Sequence, residues 1–242
     1  MWLFLHAIGL SVCQQSVLQQ PTNPVPLHYE LEITTHIPDV HFEGRANITL
    51  TLSHPTRHFS LNSRNLTINS VLISAATSTN HRKHTFLSVV AAQETIQVSA
   101  ANVLPAGVYI LALAWSGSLA TGNSVSFFRS QTTVLKDWVA QTNFEPFGAR
   151  GAFPCFDVPK HKTTYKITLV HPLNYRAYSN ARYINSVSQG QMMVSSFEET
   201  IPLPTYLVAW AFESRYESTT AKTNSGTEIT ALYPAQDKGC EM

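Results

Sequence analysis

Charge is scarce in this chain of 242 residues: Lys, Arg, Asp and Glu make up 13% of it, and the formal net charge is +1. A balance this near neutral leaves no electrostatic footprint for nucleic acid, and no Lys/Arg cluster marks an anionic membrane surface. Cysteine is nearly missing. Cys13, Cys155 and Cys240 are the three present, and loss of an N-terminal leader would leave two, which excludes a disulfide scaffold. No apolar run is long enough to span a bilayer. No long stretch repeats its apolar residues with the 3.6-residue period of an amphipathic helix. Three chemical signatures are also absent: a phosphate-cradling glycine loop, a strand-to-helix nucleophile elbow, and His-Glu-x-x-His.

The histidines and other nucleophile candidates do not fill these gaps. His54 and His58 form a His-x-x-x-His pair, but Pro55 stands at the Glu position and disfavours a helix through His54. A solvated turn is expected there. His81 and His84 flank Arg82-Lys83 in a polar loop, and His36 and His41 flank a turn at Pro38-Asp39. Ser118 lies in a Gly117–Gly122 segment that does not match a nucleophile elbow. Cys155, between Pro154 and Phe156, reads as a buried and inert thiol. On residue chemistry alone the chain is a non-catalytic β module.

What the chain does have is strand-type alternation. Leu27, Tyr29, Leu31 and Ile33 alternate with polar residues, as do Ile48, Leu50 and Leu52, then Ile96 and Val98, then Tyr165, Ile167 and Leu169. Tyr109, Leu111, Leu113 and Trp115 line one face of a further strand. A period of two puts each set on one side of a half-buried sheet. Turns are expected at Pro38-Asp39, Glu43-Gly44, Pro105–Gly107, Ser116-Gly117, His171-Pro172 and Ser188–Gly190. The polar segment Thr219–Gly226 is expected to join two strands. These features predict an all-β fold, largely antiparallel, built as a sandwich or saddle-shaped sheet.

The start of the chain carries a different signal. Trp2 to Val12 is apolar apart from His6, Gly9 and Ser11, which fits the hydrophobic region of a signal peptide. Residues 1–13 are expected to be that peptide, 14–23 a short lead, 24–236 the β domain and 237–242 a frayed tail. Two sequons, at Asn47 and Asn65, are consistent with secretion, either free or to the extracellular face of the plasma membrane.

The densest stretch is Thr142–Pro159, TNFEPFGARGAFPCFDVP. No periodic strand or helix is written this way, and such irregular loops commonly carry function. Asn143-Phe144-Glu145-Pro146, Ala149-Arg150 and Ala152-Phe153-Pro154-Cys155-Phe156-Asp157 with Pro159 resemble the signature of the aminopeptidase N family of zinc metallopeptidases, the gluzincins. Other blocks agree in order: Pro26–Tyr29 with Phe42–Gly44, Phe127–Ser130, and Thr205–Trp210. The resemblance spans about residues 24 to 234.

The resemblance implies a saddle-shaped N-terminal β domain that, in the family, precedes a thermolysin-like catalytic domain. That catalytic domain holds the zinc through His-Glu-x-x-His and also carries Gly-Ala-Met-Glu-Asn; neither motif occurs in these residues. The chain is therefore expected to be one domain of a larger enzyme (a fragment, a short isoform or a truncated gene product), with no cofactor of its own and no catalysis alone. A separate secreted binding module and a non-functional truncated paralogue are the alternative readings. By resemblance, Glu145 binds the free α-amino group of a peptide, with Asn143 beside it at a position where the family has Gln. A carboxylate suits an ammonium because it makes a charge-assisted hydrogen bond. Arg150 and Asp157 are expected to tie the loop down as a charge pair around Cys155. The implied partners are peptide N-termini and the catalytic domain.

Overall fold

The computed structural model describes residues 24–76, 85–86, 88–92, 94–122, 125–132 and 136–235. The expected signal peptide and lead, Cys13, His81, His84, Cys240 and the expected C-terminal tail lie outside these residues.

The described residues are strands joined by turns. In chain order they are β1 (Val25–His36), β2 (His41–Leu52), β3 (Thr56–Asn62), β4 (Thr67–Ala75), β5 (Thr85–Phe86), β6 (Ser88–Ala92), β7 (Thr95–Leu104), β8 (Gly107–Ser118) and β9 (Ala120–Thr121). They continue as β10 (Ser126–Gln131), β11 (Trp138–Asn143), β12 (Thr164–Pro172), β13 (Arg176–Ser179), β14 (Tyr183–Gln189), β15 (Met192–Glu199), β16 (Trp210–Glu213), β17 (Tyr216–Lys222) and β18 (Glu228–Pro234). Among the described residues helix is limited to two 3-10 turns, Ala149–Gly151 and Thr205–Leu207.

An eight-stranded sheet, ordered β14-β15-β12-β1-β2-β8-β4-β5, forms one layer, and a five-stranded sheet, β13-β16-β11-β10-β9, lies against it. A three-stranded sheet, β3-β7-β6, and the β17-β18 hairpin complete the set. Pairing is antiparallel except at β1–β12 and β9–β10. The all-β, largely antiparallel class read from the alternation is what the chain adopts.

The core follows the period of two. Tyr29, Leu31 and Ile33 on β1, Ile48 and Leu50 on β2, Leu111, Leu113 and Trp115 on β8, and Tyr165, Ile167 and Leu169 on β12 are buried. From the other layer, Phe127 meets Phe42 at 5.1 Å and Phe212 meets His171 at 5.6 Å between ring centroids, while within that layer Phe127 packs on Trp210 at 5.5 Å. The two Phe127 pairs are edge-to-face, and such aromatic pairs add about 0.5–1.5 kcal/mol beyond the area they bury.

Four details differ from the sequence expectation. Leu27 is exposed, because a register shift between Pro26 and His28 breaks the alternation and turns it outward. Glu43-Gly44 and Ser116-Gly117 are strand interior, not turns: Gly44 pairs with Trp115 and Gly117 with Phe42 across β2 and β8. Each glycine makes room for the ring opposite, since a Cβ on Gly44 would meet Trp115 at 2.2 Å and one on Gly117 would meet Phe42 at 2.6 Å. His171-Pro172 closes β12, and the turn follows at 173–174. β17 runs through Lys222, so the connection to β18 is shorter than Thr219–Gly226.

Candidate functional site

The Thr142–Pro159 loop leaves the end of β11 and crosses the region between the layers. Its first anchor is Phe144, which is buried and packs edge-on to Phe153 at 5.9 Å and Trp210 at 5.2 Å. Thr142 fastens the strand end: its hydroxyl accepts from the Trp210 amide at 3.0 Å. The backbone then reverses. The Gly148 amide donates to the Phe144 carbonyl at 2.6 Å, closing a turn around Glu145, Pro146 and Phe147. The Glu145–Pro146 peptide is cis. Only glycine fits at 148, where a Cβ would stand 2.6 Å from the Asn143 carbonyl oxygen.

Glu145 sits at the tip of this turn, exposed, with Pro146 and Phe147 exposed beside it. Asn143 is exposed at the end of β11, paired with Ser126. Among the described residues no side chain hydrogen-bonds to or pairs with the Glu145 carboxylate. The structure therefore brings Asn143 and Glu145 to the same short tip and leaves the carboxylate open.

The second half of the loop is sealed. Ala152, Phe153, Cys155, Phe156 and Asp157 are all buried. Cys155 and Asn62 exchange backbone hydrogen bonds at 2.8 and 3.0 Å, which fastens the loop to the end of β3. The Arg64 amide donates to the Arg150 carbonyl at 2.7 Å, and the Trp115 indole donates to the Ala152 carbonyl at 2.9 Å. Asp157 is the hub. One carboxylate oxygen accepts from Arg150 Nε at 2.9 Å and the other from the Thr205 hydroxyl at 2.6 Å. Its amide donates to Asn62 Oδ1 at 3.1 Å. Arg150 turns its other nitrogen to Glu94, at 3.1 Å, and Glu94 also pairs with Arg64.

Beneath the loop lies a cluster of weak acids. Burial pushes the Cys155 thiol well up, and the nearby Asp157 carboxylate adds to the shift. Burial likewise raises the Tyr29 hydroxyl, with Tyr165, stacked on it at 5.0 Å, contributing next. Burial also raises Tyr165. Held neutral, the Cys155 thiol is a packing group and not a nucleophile. Tyr29 was read from the sequence as a core residue alone; its hydroxyl also accepts the Phe156 amide at 3.2 Å. Asn62, Glu94 and Thr205 carry no sequence signal that would have tied them to this loop, because they come from distant segments.

The residues present do not fit a zinc ion. Among the described residues no three His, Cys, Asp or Glu side chains converge to hold a metal. His58 lies within β3, not in a turn, and its Nδ1 stands 2.8 Å from the Ser99 hydroxyl. His36 and His41 stack on each other at 5.9 Å around the Ile37–Val40 turn. Zinc chemistry is assigned to none of them.

Two packed β layers, with a sealed loop that carries an exposed acidic tip, define an all-β domain. Residues 25–207 match the Peptidase M1 N-terminal domain. The chain belongs to the M1 peptidase family, and its described body is that family's N-terminal domain. Human glutamyl aminopeptidase is 30% identical over 226 residues, covering 88% of this chain and 23% of the relative. Human endoplasmic reticulum aminopeptidase 1 is 30% identical over 228 residues, covering 91% and 24%. Aminopeptidase A of Gloydius brevicauda is 32% identical over 206 residues, covering 81% and 21%. The chain thus spans about a quarter of the length of the curated relatives it matches.

Proposed function

We propose that this chain is the N-terminal domain of a zinc aminopeptidase and presents the Glu145 carboxylate to the α-amino group of a peptide substrate. The observation that carries this reading is the contrast within one loop: the base is buried and tied by an ion pair, while the carboxylate at the tip has no partner among the described residues. The sealed base fixes the backbone of the tip, so the Glu145 carboxylate is presented at a defined place on the surface where an ammonium can reach it. Asn143 shares the tip and supplies a neutral amide beside the charge. The zinc and the water-activating Glu belong, by family resemblance, to a catalytic domain that this one would adjoin. Alone, the domain binds and does not cleave. An exposed ion pair contributes only about 0–1 kcal/mol, so useful affinity requires the enclosure a catalytic domain gives.

The route to that setting is secretory. Asn65 is the better of the two glycan acceptors: it is exposed in a turn with φ 57°. Asn47 lies within β2 and its amide donates to Glu30 at 3.1 Å. Secretion from eukaryotic cells followed by glycosidase treatment should release one glycan, mapped to Asn65.

The functional test joins the chain to the catalytic portion of glutamyl aminopeptidase. Glu145→Gln in that chimera should lower kcat/KM for free-amine substrates by about ten- to a hundredfold, the size of a lost charged hydrogen bond. A chimera as active as its Glu145 parent would overturn the assignment.

A further inference from the structure

β14 is the outer strand at one end of the eight-stranded sheet. An open edge presents unpaired N–H and C=O groups, and proteins defend such edges with short length, charge or proline. The other edges here follow that rule. Among the described residues β5 and β9 have two residues each, β13 carries Arg176, β3 carries Arg57, and the β17–β18 hairpin carries Glu217, Lys222 and Glu228. β6 lacks charge but has only five residues. β14 has seven residues, Tyr-Ile-Asn-Ser-Val-Ser-Gln, with no charge and no proline. It also exposes Tyr183, Ile184 and Val187, the last at 60%.

The strand is held firmly from within. The Tyr183 hydroxyl donates to Ser186 at 2.7 Å, the Ser186 and Ser195 hydroxyls are 2.8 Å apart, and Ser195 reaches His171 Nε2 at 2.8 Å. That chain fixes the inner face, and no strand among the described residues pairs with the outer edge. On the opposite face, Val187 pairs with Val194, and Val194 pairs with Val170, so an apolar row runs across three strands and stops at the edge.

We propose that β14 pairs antiparallel with β14 of a second copy of this chain, with Val187 on the two-fold axis. Three features select this occupant. A charge near the axis of a self-paired strand would face its own copy, and β14 has no charge at all; Arg182 and Glu198, near one end, pair with each other. Val187 against Val187 continues the valine row into the partner sheet. Ladder parity agrees as well. Gln189 and Met192 close a two-residue hairpin, with Gly190 at φ 63°. Hydrogen-bonded pairs then recur at every second position, which leaves Ser186 and Ser188 to point their backbone groups outward. In the proposed register Ser186 of each copy faces Ser188 of the other, so the free groups meet. The contact is isologous and closes as a dimer.

Sedimentation velocity of the purified chain should show a concentration-dependent shift from monomer to dimer. Val187→Lys sets two like charges opposite each other and should leave a folded monomer, checked by an unchanged circular dichroism spectrum and melting temperature. The register has its own readout. In a Cys13→Ser, Cys240→Ser background, Val187→Cys should form an interchain disulfide on mild oxidation, since a non-hydrogen-bonded pair has Cα atoms about 4.5 Å apart. Gln189→Cys should not, because its own copy lies several residues away. A chain that stays monomeric at every concentration would overturn the proposal, as would a dimer unaffected by Val187→Lys.

Discussion

Three residues separate the Glu145 tip from the Ala149 base of the same loop, and the two ends obey opposite rules. At the tip the side chains of Asn143, Glu145 and Phe147 are exposed, and the carboxylate has no partner among the described residues. At the base Arg150, Asp157 and Thr205 satisfy one another, with Asp157 only 4% exposed. The same chemical group, a carboxylate, is structural in one place and available in the other. What differs is solvent and partners. A buried carboxylate left unpaired is costly, so Asp157 is surrounded by donors. An exposed one loses nothing by waiting, so Glu145 remains free for a ligand.

The largest expected effect comes from breaking the base. Asp157→Ala leaves Arg150 and Thr205 without their acceptor and should destabilise the fold by about 3–5 kcal/mol, read from urea unfolding. If it costs under about 1 kcal/mol, the base is not the clamp described. Gly148→Ala attacks the junction of the two halves. Its Cβ would meet the Asn143 carbonyl at 2.6 Å and Phe144 Cα at 2.8 Å, both backbone atoms that yield poorly. A loss of about 1–3 kcal/mol is expected in the same assay.

The acids beneath the base give a pH test. Burial raises the folded-state pKa of Cys155, Tyr29 and Tyr165. Above the ordinary thiol pKa of about 8.5 the unfolded chain therefore ionises first and binds fewer protons than the folded one. Stability should fall as pH rises from there, more steeply past about 10 as the tyrosines join. Cys155→Ala should flatten the first part of that fall. A matching fall in the variant would show that the Cys155 thiol does not contribute. The smallest effect belongs to the tip: Glu145→Gln should change unfolding free energy by less than about 0.5 kcal/mol. A larger loss would mean that Glu145 serves the fold after all.

The sheets were largely legible because period-two alternation reports which face is buried. Tyr109 through Trp115 and Tyr165 through Leu169 have the burial their spacing requires. The strand boundaries were less so. Gly44 and Gly117 read as turn residues, yet each gives space to an aromatic ring on a neighbouring strand, and no local window contains that ring. The loop was recognisable as a unit from its composition and its family resemblance. Its ties were not, since Asn62, Glu94, Trp115 and Thr205 are brought to it by sheet pairing. His171 in its hydroxyl chain and the bare edge of β14 likewise emerge only from strand order.

The most direct test follows the tip by NMR in the chimera with the glutamyl aminopeptidase catalytic portion, where the tip is enclosed, with this chain's segment labelled and a short uncleavable peptide analogue added. With a free α-amine, the amide resonances of Glu145, Phe147 and Gly148 should shift, those of Cys155 and Asp157 should stay, and Glu145→Gln should abolish the shifts. The account is contradicted if the N-acetylated peptide produces the same shifts, or if they survive in Glu145→Gln.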